Sequence, residues 1–171
     1  NPQAAALLDT LRSDAGLSVT VHTKPAGEPS IENVDEAIAA VRAADAQAVV
    51  ALGGGSVIDT AKAARLCAQK GMTFREFLAS DRSFPEPTIT LVALPTSAGT
   101  GSEVSGGSVI SDLQAGTKSG IANATLRPHY ALVDPTLTYS MPPSMTANLC
   151  VRSVQEVVYL AAAIFVAVRG G

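Results

Sequence analysis

The stretch QAVVALGGGSVIDTAKAARLCAQKG, residues 47–71, decides the fold. It opens with a short continuous apolar run at 47–52, which is typical of a strand covered on both faces of its sheet. Three consecutive glycines and Ser56 follow, and a helical stretch then runs to Gly71. The sequence therefore predicts a strand, a glycine turn and a helix in immediate succession.

Helical and strand patterns alternate on both sides of this unit. Upstream, the spacing of apolar residues predicts a helix over 3–15 ended by Gly16, a strand over 17–23, and a helix capped by Ser30 or Asn33. Downstream, it predicts a second fully buried strand at 88–94, a hairpin of 105–112 with 117–123, and a strand at 130–134. Together these elements indicate an α/β fold: a Rossmann-like, mostly parallel sheet flanked by helices, with a β-hairpin.

Composition excludes several classes of protein. The chain has 171 residues, of which 47% are apolar and 16% charged, so it is not disordered as a whole. A net charge of −3 argues against nucleic-acid binding through backbone phosphates. Two cysteines are too few for a disulfide scaffold, and the first twenty residues show no signal-peptide pattern. We therefore expect a cytoplasmic protein.

Two loops follow predicted parallel strands and are expected at the ligand-binding edge of the sheet. In the first, the glycine loop (residues 53–56, GGGS), the absence of Cβ atoms lets backbone amides approach an anion beside the helix N-terminus. Ser56 and Asp59 form a capping-box-like pair that would fix the start of the helix. The alternative is a tight turn that needs glycine for steric reasons alone.

The second, the hydroxyl loop (residues 95–103, PTSAGTGSE), follows the strand at 88–94. It combines two glycines with the hydroxyls of Thr96, Ser97, Thr100 and Ser102, groups that suit a diphosphate, a ribose or a carboxamide. Such residues are also ordinary in a solvated surface loop. Two loops of this kind at one sheet edge favour a shared polyphosphate site.

Three segments carry a family resemblance: GGGSVIDTAK (53–62), LPTSAGTGSEVS (94–105) and LRPHYALVDPTLTYSMPPSMTA (126–147). In order and spacing they resemble the iron-containing alcohol dehydrogenase family, over about residues 45–147. The resemblance implies an N-terminal dinucleotide-binding α/β domain and a C-terminal all-helical domain. It places the cofactor and a divalent metal, iron or zinc, in the cleft between the two.

The resemblance also implies roles for particular residues. Gly53, Gly54, Gly55 and Ser56 would cradle the pyrophosphate of NAD or NADP, and Thr96, Ser97, Thr100 and Ser102 would line the adenosine, ribose and nicotinamide positions. Lys118 would reach the cofactor, or is simply a solvated lysine. Leu137 matches a position beside the adenine, with core packing as an equal alternative. The expected affinity for the dinucleotide is low, because half of the cleft is absent.

The sequence departs from the family where the metal would bind. The resemblance implies one Asp and three His as ligands, but Arg152 stands at the Asp position, Glu156 at the first His position and Cys150 at a Gly position. The chain has two histidines, His22 and His129, and neither has metal-ligand spacing. We therefore predict no metal site and no catalytic residue, with Cys67 and Cys150 as small apolar residues.

Both ends also differ from the family pattern. The expected first strand, normally central and ending in an acidic residue that reads the ribose, is missing before Asn1, which would leave two neighbouring strands with unpaired edges. We assign residues 1–147 to the α/β domain and 148–171 to a divergent apolar tail or helix. Within it, residues 157–168 are apolar or Tyr throughout, too short for a membrane span of roughly twenty residues.

Three functional hypotheses follow. The first is an NAD(P)-binding domain of an alcohol dehydrogenase-like oxidoreductase that is truncated at both ends and not catalytically complete by itself. The second is a working oxidoreductase that recruits a separate helical domain through residues 157–168. The third is a non-enzymatic, self-associating module or fragment derived from the family. None of them involves nucleic acid or a membrane.

Overall fold

A computed structural model describes residues 2–139, 141 and 163–169. The helices are α1 (Pro2–Asp9, continued by a π-helical turn at Thr10–Asp14), α2 (Ile31–Ala43), α3 (Gly55–Lys70) and α4 (Phe74–Ala79). The strands are β1 (Ser18–Lys24), β2 (Ala48–Gly53), β3 (Thr90–Pro95), β4 (Gly107–Asp112), β5 (Thr117–Ala122), β6 (Tyr130–Ala131) and β7 (Ala163–Arg169). Short 3₁₀ turns cover Ala124–Leu126 and Pro135–Thr138. In this part of the chain, no helix is long and apolar enough to cross a membrane.

Local sequence explains where the helices begin and end. Ser30 and Asn33 form a reciprocal capping box at the start of α2, so both predicted capping residues take part. Gly71 ends α3 in the left-handed conformation, with φ 72°. Helix α4 is absent from the sequence prediction, which has a charged loop there, although Thr73 and Glu76 form a second capping box.

The main sheet has the order β1-β7-β2-β3-β6, and β2, β3 and β6 run parallel. Residues on one face of β2 and β3, such as Val49, Ala51 and Leu91, are buried with the apolar sides of α2 and α3. The opposite face, around Val50, packs against leucines of α1. The predicted α/β architecture is confirmed.

Burial along β3 corrects the prediction of a strand buried on both faces. Its residues alternate between buried and half-buried, because α2 and α3 cover one face while α1 covers the other only in part. The strand predicted at 130–134 is likewise shorter than expected. Only Tyr130 and Ala131 pair with β3, and the residues up to Pro135 are exposed.

Strand β7 lies inside the sheet and runs antiparallel to both neighbours. Its pairing with β1 extends from Ser18↔Arg169 to Lys24↔Ala163, and its pairing with β2 from Ala48↔Val168 to Leu52↔Ile164. The prediction of two strands with unpaired edges is therefore wrong, because β7 supplies hydrogen-bonding partners to both. Residues 163–169 of the predicted tail form a strand and not a helix, and 157–162 lie outside the described residues.

The predicted hairpin is confirmed as a separate two-stranded sheet of β4 and β5, with Gly107 opposite Ala122 and Asp112 opposite Thr117. It is attached to the segment before α2. The amide of Ser111 donates to the carbonyl of Pro29 at 2.8 Å, and Ser30 and Ser111 form an isolated parallel bridge. The hairpin therefore contacts the segment that connects the end of β1 to the start of α2.

Candidate functional site

Three loops leave the same edge of the main sheet. Strands β1 and β2 run in the same direction because both are antiparallel to β7, and β3 is parallel to β2. Their carboxyl ends are followed by residues 25–30, the glycine loop and the hydroxyl loop, respectively. In a parallel α/β sheet, this is the edge at which ligands bind.

The glycine loop and the hydroxyl loop are in direct contact. The amide of Thr96 donates to the carbonyl of Gly53 at 3.0 Å. A Cβ added to Gly54 would lie 3.0 Å from Ser97 Oγ, and one added to Gly55 would lie 3.0 Å from both Thr100 Oγ1 and Thr100 Cγ2. A Cβ at either position would force the Ser97 or Thr100 side chain to shift, so glycine permits the close approach of the two loops. The predicted meeting of the two loops at one edge is confirmed.

The start of helix α3 lies at this contact and has backbone donors without an acceptor among the described residues. The N-cap is Gly54, and no side chain caps the helix. The first intrahelical donors are Val57 and Ile58, which both bond to the Gly54 carbonyl. The amides before them have no acceptor within the helix, and the helix dipole adds partial positive charge there.

The predicted capping role of Ser56 and Asp59 is wrong. The Ser56 carbonyl accepts from Thr60 Oγ1 at 2.8 Å, while the Asp59 carboxylate turns away from the helix start. It accepts from the Ser102 hydroxyl in a short hydrogen bond and from the Val109 amide at 3.1 Å. Asp59 therefore connects α3 to the hydroxyl loop and to β4, which a pattern of local spacing does not reveal.

The hydroxyls of the hydroxyl loop fall into two groups. Thr96 is 5% exposed, and its Oγ1 is buried without a hydrogen-bond partner among the described residues. Thr100 Oγ1 accepts the amide of Ser102 at 3.3 Å and lies at the contact with Gly55. Ser102 Oγ, in contrast, is already engaged by Asp59 and by Lys62. A buried hydroxyl without a partner is costly unless a ligand or water satisfies it.

Lys62 is a site residue that the sequence analysis missed. It is completely buried (0% exposed), and its Nζ lies 2.7 Å from the Gly107 carbonyl and 3.0 Å from Ser102 Oγ. Burial lowers the pKa of its ammonium, and the Asp59 carboxylate opposes that shift. The sequence feature that could have identified Lys62 is a charged residue within the apolar face of α3, three residues after Asp59.

Lys118 and Leu137 lie in different surroundings. Lys118 Nζ forms an ion pair with Glu28 Oε1 at 2.7 Å, and Glu28 also accepts from Ser111 Oγ at 3.0 Å. Hydrogen bonds from Lys118 and then Ser111 lower the pKa of Glu28. Leu137 is buried with Ala4 and Leu52. Core packing therefore accounts for Leu137, and Glu28 belongs to the third loop of the edge, which the sequence analysis treated as a linker.

The described residues contain no group of three or more His, Cys, Asp or Glu side chains that could hold a metal ion. His129 packs against Arg65 and the backbone of β3. Cys67 is buried in α3, and burial raises the pKa of its thiol to about 12, as expected of an inert apolar residue. Cys150, Arg152 and Glu156 lie outside the described residues, so the predicted absence of the metal stays a prediction.

The fold and the loop geometry define a class of protein. A mostly parallel sheet whose glycine turn opens a helix, beside a second loop rich in hydroxyls, is typical of α/β domains that bind a nucleotide or dinucleotide at the carboxyl edge. An iron-containing alcohol dehydrogenase family model matches residues 1–135. The chain belongs to the iron-containing alcohol dehydrogenase family. The match reaches residue 1, well before the 45–147 segment that carried the resemblance.

Curated relatives and solved structures agree with this family. The chain is 42% identical over 133 residues to the probable alcohol dehydrogenase EutG of Salmonella typhimurium, covering 77% of this chain and 33% of that protein. It is 39% identical over 144 residues to the 1-propanol dehydrogenase PduQ of the same organism, covering 83% and 35%. The chain thus spans about one third of the length of these relatives.

A solved structure of sulfoacetaldehyde reductase from Bifidobacterium kashiwanohense, in complex with NAD⁺, superimposes with a TM-score of 0.77. It is 37% identical, and the match covers 86% of this chain and 38% of that one. A second, the archaeal halo-thermophilic alcohol dehydrogenase ADH/D1 from a Red Sea brine pool, gives a TM-score of 0.74 at 29% identity, covering 85% and 39%. Both likenesses extend over most of the α/β unit described above.

Proposed function

We propose that this chain is the NAD(P)-binding part of an alcohol dehydrogenase-like oxidoreductase. The observation that carries the proposal is the contact between the glycine loop and the hydroxyl loop. There, Gly54 and Gly55 let the start of α3 lie directly against Ser97 and Thr100, and the buried Thr96 hydroxyl has no partner among the described residues. A phosphate or ribose oxygen is the kind of group that would satisfy it.

The proposal gives the residues of the two loops individual roles. The amides of Gly53 to Ser56 bind the pyrophosphate at the N-terminus of α3, where the helix dipole favours negative charge. Thr96, Ser97 and Thr100 contact the ribose and nicotinamide side of the cofactor. When bound, the nicotinamide supplies hydride-transfer chemistry, and this chain's residues bind and orient it. Ser102 acts indirectly, since its hydroxyl is engaged by Asp59 and Lys62.

Lys118 and Leu137 were both predicted to lie beside the cofactor, and their surroundings in the structure differ. Lys118 reaches the dinucleotide only by leaving its ion pair with Glu28, in which its side chain is 50% exposed. Leu137 is packed in the core with Ala4 and Leu52, and its place beside the adenine stays a prediction. The proposal assigns this chain the binding of the dinucleotide and not the complete alcohol dehydrogenase reaction, because the chain spans about one third of the length of its relatives. We place the protein in the cytoplasm, in keeping with its two cysteines.

Titration of NADH and NADPH into the purified chain, followed by nucleotide fluorescence, tests the proposal. Gly55→Val should weaken binding about tenfold or more, because its side chain collides with Thr100 at the loop contact. Gly120→Val is the matched control: it stands on β5, and a Cβ there meets nothing within 4 Å. Equal affinities for Gly55→Val and the wild type, or no saturable binding at millimolar cofactor, would contradict the proposed function.

A further inference from the structure

We propose that Lys62 is the positioning residue of the dinucleotide site, which fixes the hydroxyl loop in its ligand-ready conformation without touching the ligand. The proposal rests on the proposed function and adds to it the side chain that organises the site. It follows from four contacts of one buried ammonium group. These contacts join helix α3, the hydroxyl loop and the start of the hairpin.

The ammonium group of Lys62 is fully used within the protein. Its Nζ lies 2.7 Å from the Gly107 carbonyl, 3.0 Å from Ser102 Oγ, 3.3 Å from Ser105 Oγ and 3.5 Å from Asp59 Oδ1. An ammonium group has three hydrogens, so these four acceptors leave none for a ligand. Lys62 can therefore act on a bound dinucleotide only through the residues it holds.

Asp59 completes the connection from the same face of α3. Its carboxylate accepts from Ser102 Oγ, which in turn accepts from Lys62, and from the Val109 amide at 3.1 Å. Its main-chain carbonyl accepts from Ser108 Oγ at 3.0 Å. The two residues, one helical turn apart, thus attach α3 to the second half of the segment between β3 and β4 and to the start of β4.

That segment needs external support. Between Pro95 and Gly107 it forms no helix or strand, and Gly99 and Gly101 have φ values of 107° and 62°. Its internal bonds are short-range turns, such as Ser105 N to Gly101 O at 3.0 Å. Glycine-rich segments lose much conformational entropy on ordering, and a binding site that is ordered beforehand does not incur that loss on binding.

A buried lysine is an expensive way to hold a loop for stability alone. Moving a charged group into the interior costs free energy that an apolar side chain of similar size would not cost. Charged hydrogen bonds are geometrically specific, so a buried ammonium group can hold the loop in one conformation rather than many. The negative charges of Asp59 and Glu103 stabilise the charged form of the Lys62 ammonium group, and the positive charge of Arg65 opposes them.

The test compares Lys62→Met with Lys70→Met. Methionine keeps the length of the side chain and removes the donors, and Lys70 lies at the half-buried end of the same helix, against Ser83. We expect Lys62→Met to weaken NADH binding at least about tenfold and Lys70→Met to leave it unchanged. In amide hydrogen exchange of the ligand-free chain, Lys62→Met should speed exchange over residues 96–105 and leave β2 unchanged. Saturating NADH should restore protection of the loop.

Other outcomes separate the two proposals. Unchanged NADH affinity and unchanged loop exchange in Lys62→Met would overturn the positioning role while leaving the proposed function intact. Uniformly faster exchange throughout the chain would show a merely structural role. If Lys62→Met does not fold, Ser105→Ala decides, with about threefold weaker binding supporting the proposal and unchanged binding overturning it. If the wild-type chain does not bind NADH, the proposed function fails, and exchange over 96–105 alone decides whether Lys62 orders the loop.

Discussion

The buried Arg65 and the more exposed His129 form a polar contact on the side of α3 that faces β3. Arg65 is 1% exposed, and its guanidinium donates to the Thr125 carbonyl at 2.6 Å and lies 3.2 Å from His129 Nδ1. Burial lowers the pKa of Arg65 to about 10. Because His129 Nδ1 also accepts the Leu91 amide at 3.0 Å, the ring is neutral and carries its proton on Nε2. The pair therefore stabilises the fold only while His129 is uncharged.

The pH dependence of His129 follows from this contact. Burial, and secondly the charge of Arg65, lower its pKa below the ordinary value of 6.5. Since the folded-state pKa lies below the unfolded one, the stabilisation is complete above pH 6.5 and is lost as pH falls through the folded pKa. An NMR titration of the ring protons should give a midpoint below 6.5, with His22→Gln used for assignment. A midpoint at or above 6.5 would contradict the contact.

Among the secondary-structure elements, α3 contributes most to the site, and its sequence shows what local patterns can reveal. The glycine loop, the helix and its end at Gly71 could be predicted because turn and capping preferences act over a few residues. The capping role assigned to Asp59 was wrong, because its partners Ser102 and Val109 lie more than forty residues along the chain. No periodicity within α3 indicates them.

Helix α2 depends on its capping box. Ser30 Oγ accepts the Asn33 amide at 3.3 Å, and Asn33 Oδ1 accepts the Ser30 amide at 3.3 Å. Ser30→Ala removes the first of these bonds and should lower the free energy of unfolding by about 1 kcal/mol in urea denaturation. Ser18→Ala, on the exposed start of β1, should change it by less than about 0.5 kcal/mol. Equal effects of the two substitutions would show that the cap contributes nothing specific.

For the molecule as a whole, the arrangement of the sheet decides what holds the ligand-binding edge together. Strand β7 lies between β1 and β2 and pairs with both, so the strands that lead into residues 25–30 and into the glycine loop are joined by a strand from near the other end of the chain. Strands β1, β2 and β3 could be predicted from the sequence, because their apolar patterns are local. Neither β7 nor the place of residues 25–30 at the edge could be predicted, since strand order is a property of distant pairings.

Backbone pairing at β7 can be tested by removing one amide. Val166 is paired with Val21 on one side and with Val50 on the other. Val166→Pro removes the N–H group in the middle of the sheet and should destabilise the chain far more than Val166→Ala, which keeps it. Thermal unfolding followed by circular dichroism measures both variants. Similar midpoints for the two would contradict the placement of β7 between β1 and β2.

The most direct measurement is a ¹H–¹⁵N NMR titration of the isotopically labelled chain with NADH. If the glycine loop and the hydroxyl loop form one dinucleotide site, the amides of Gly53 to Ser56 and of Thr96 to Thr100 will shift together along a single saturating curve. Shifts confined to one loop, two curves with different midpoints, or shifts that never saturate would contradict it.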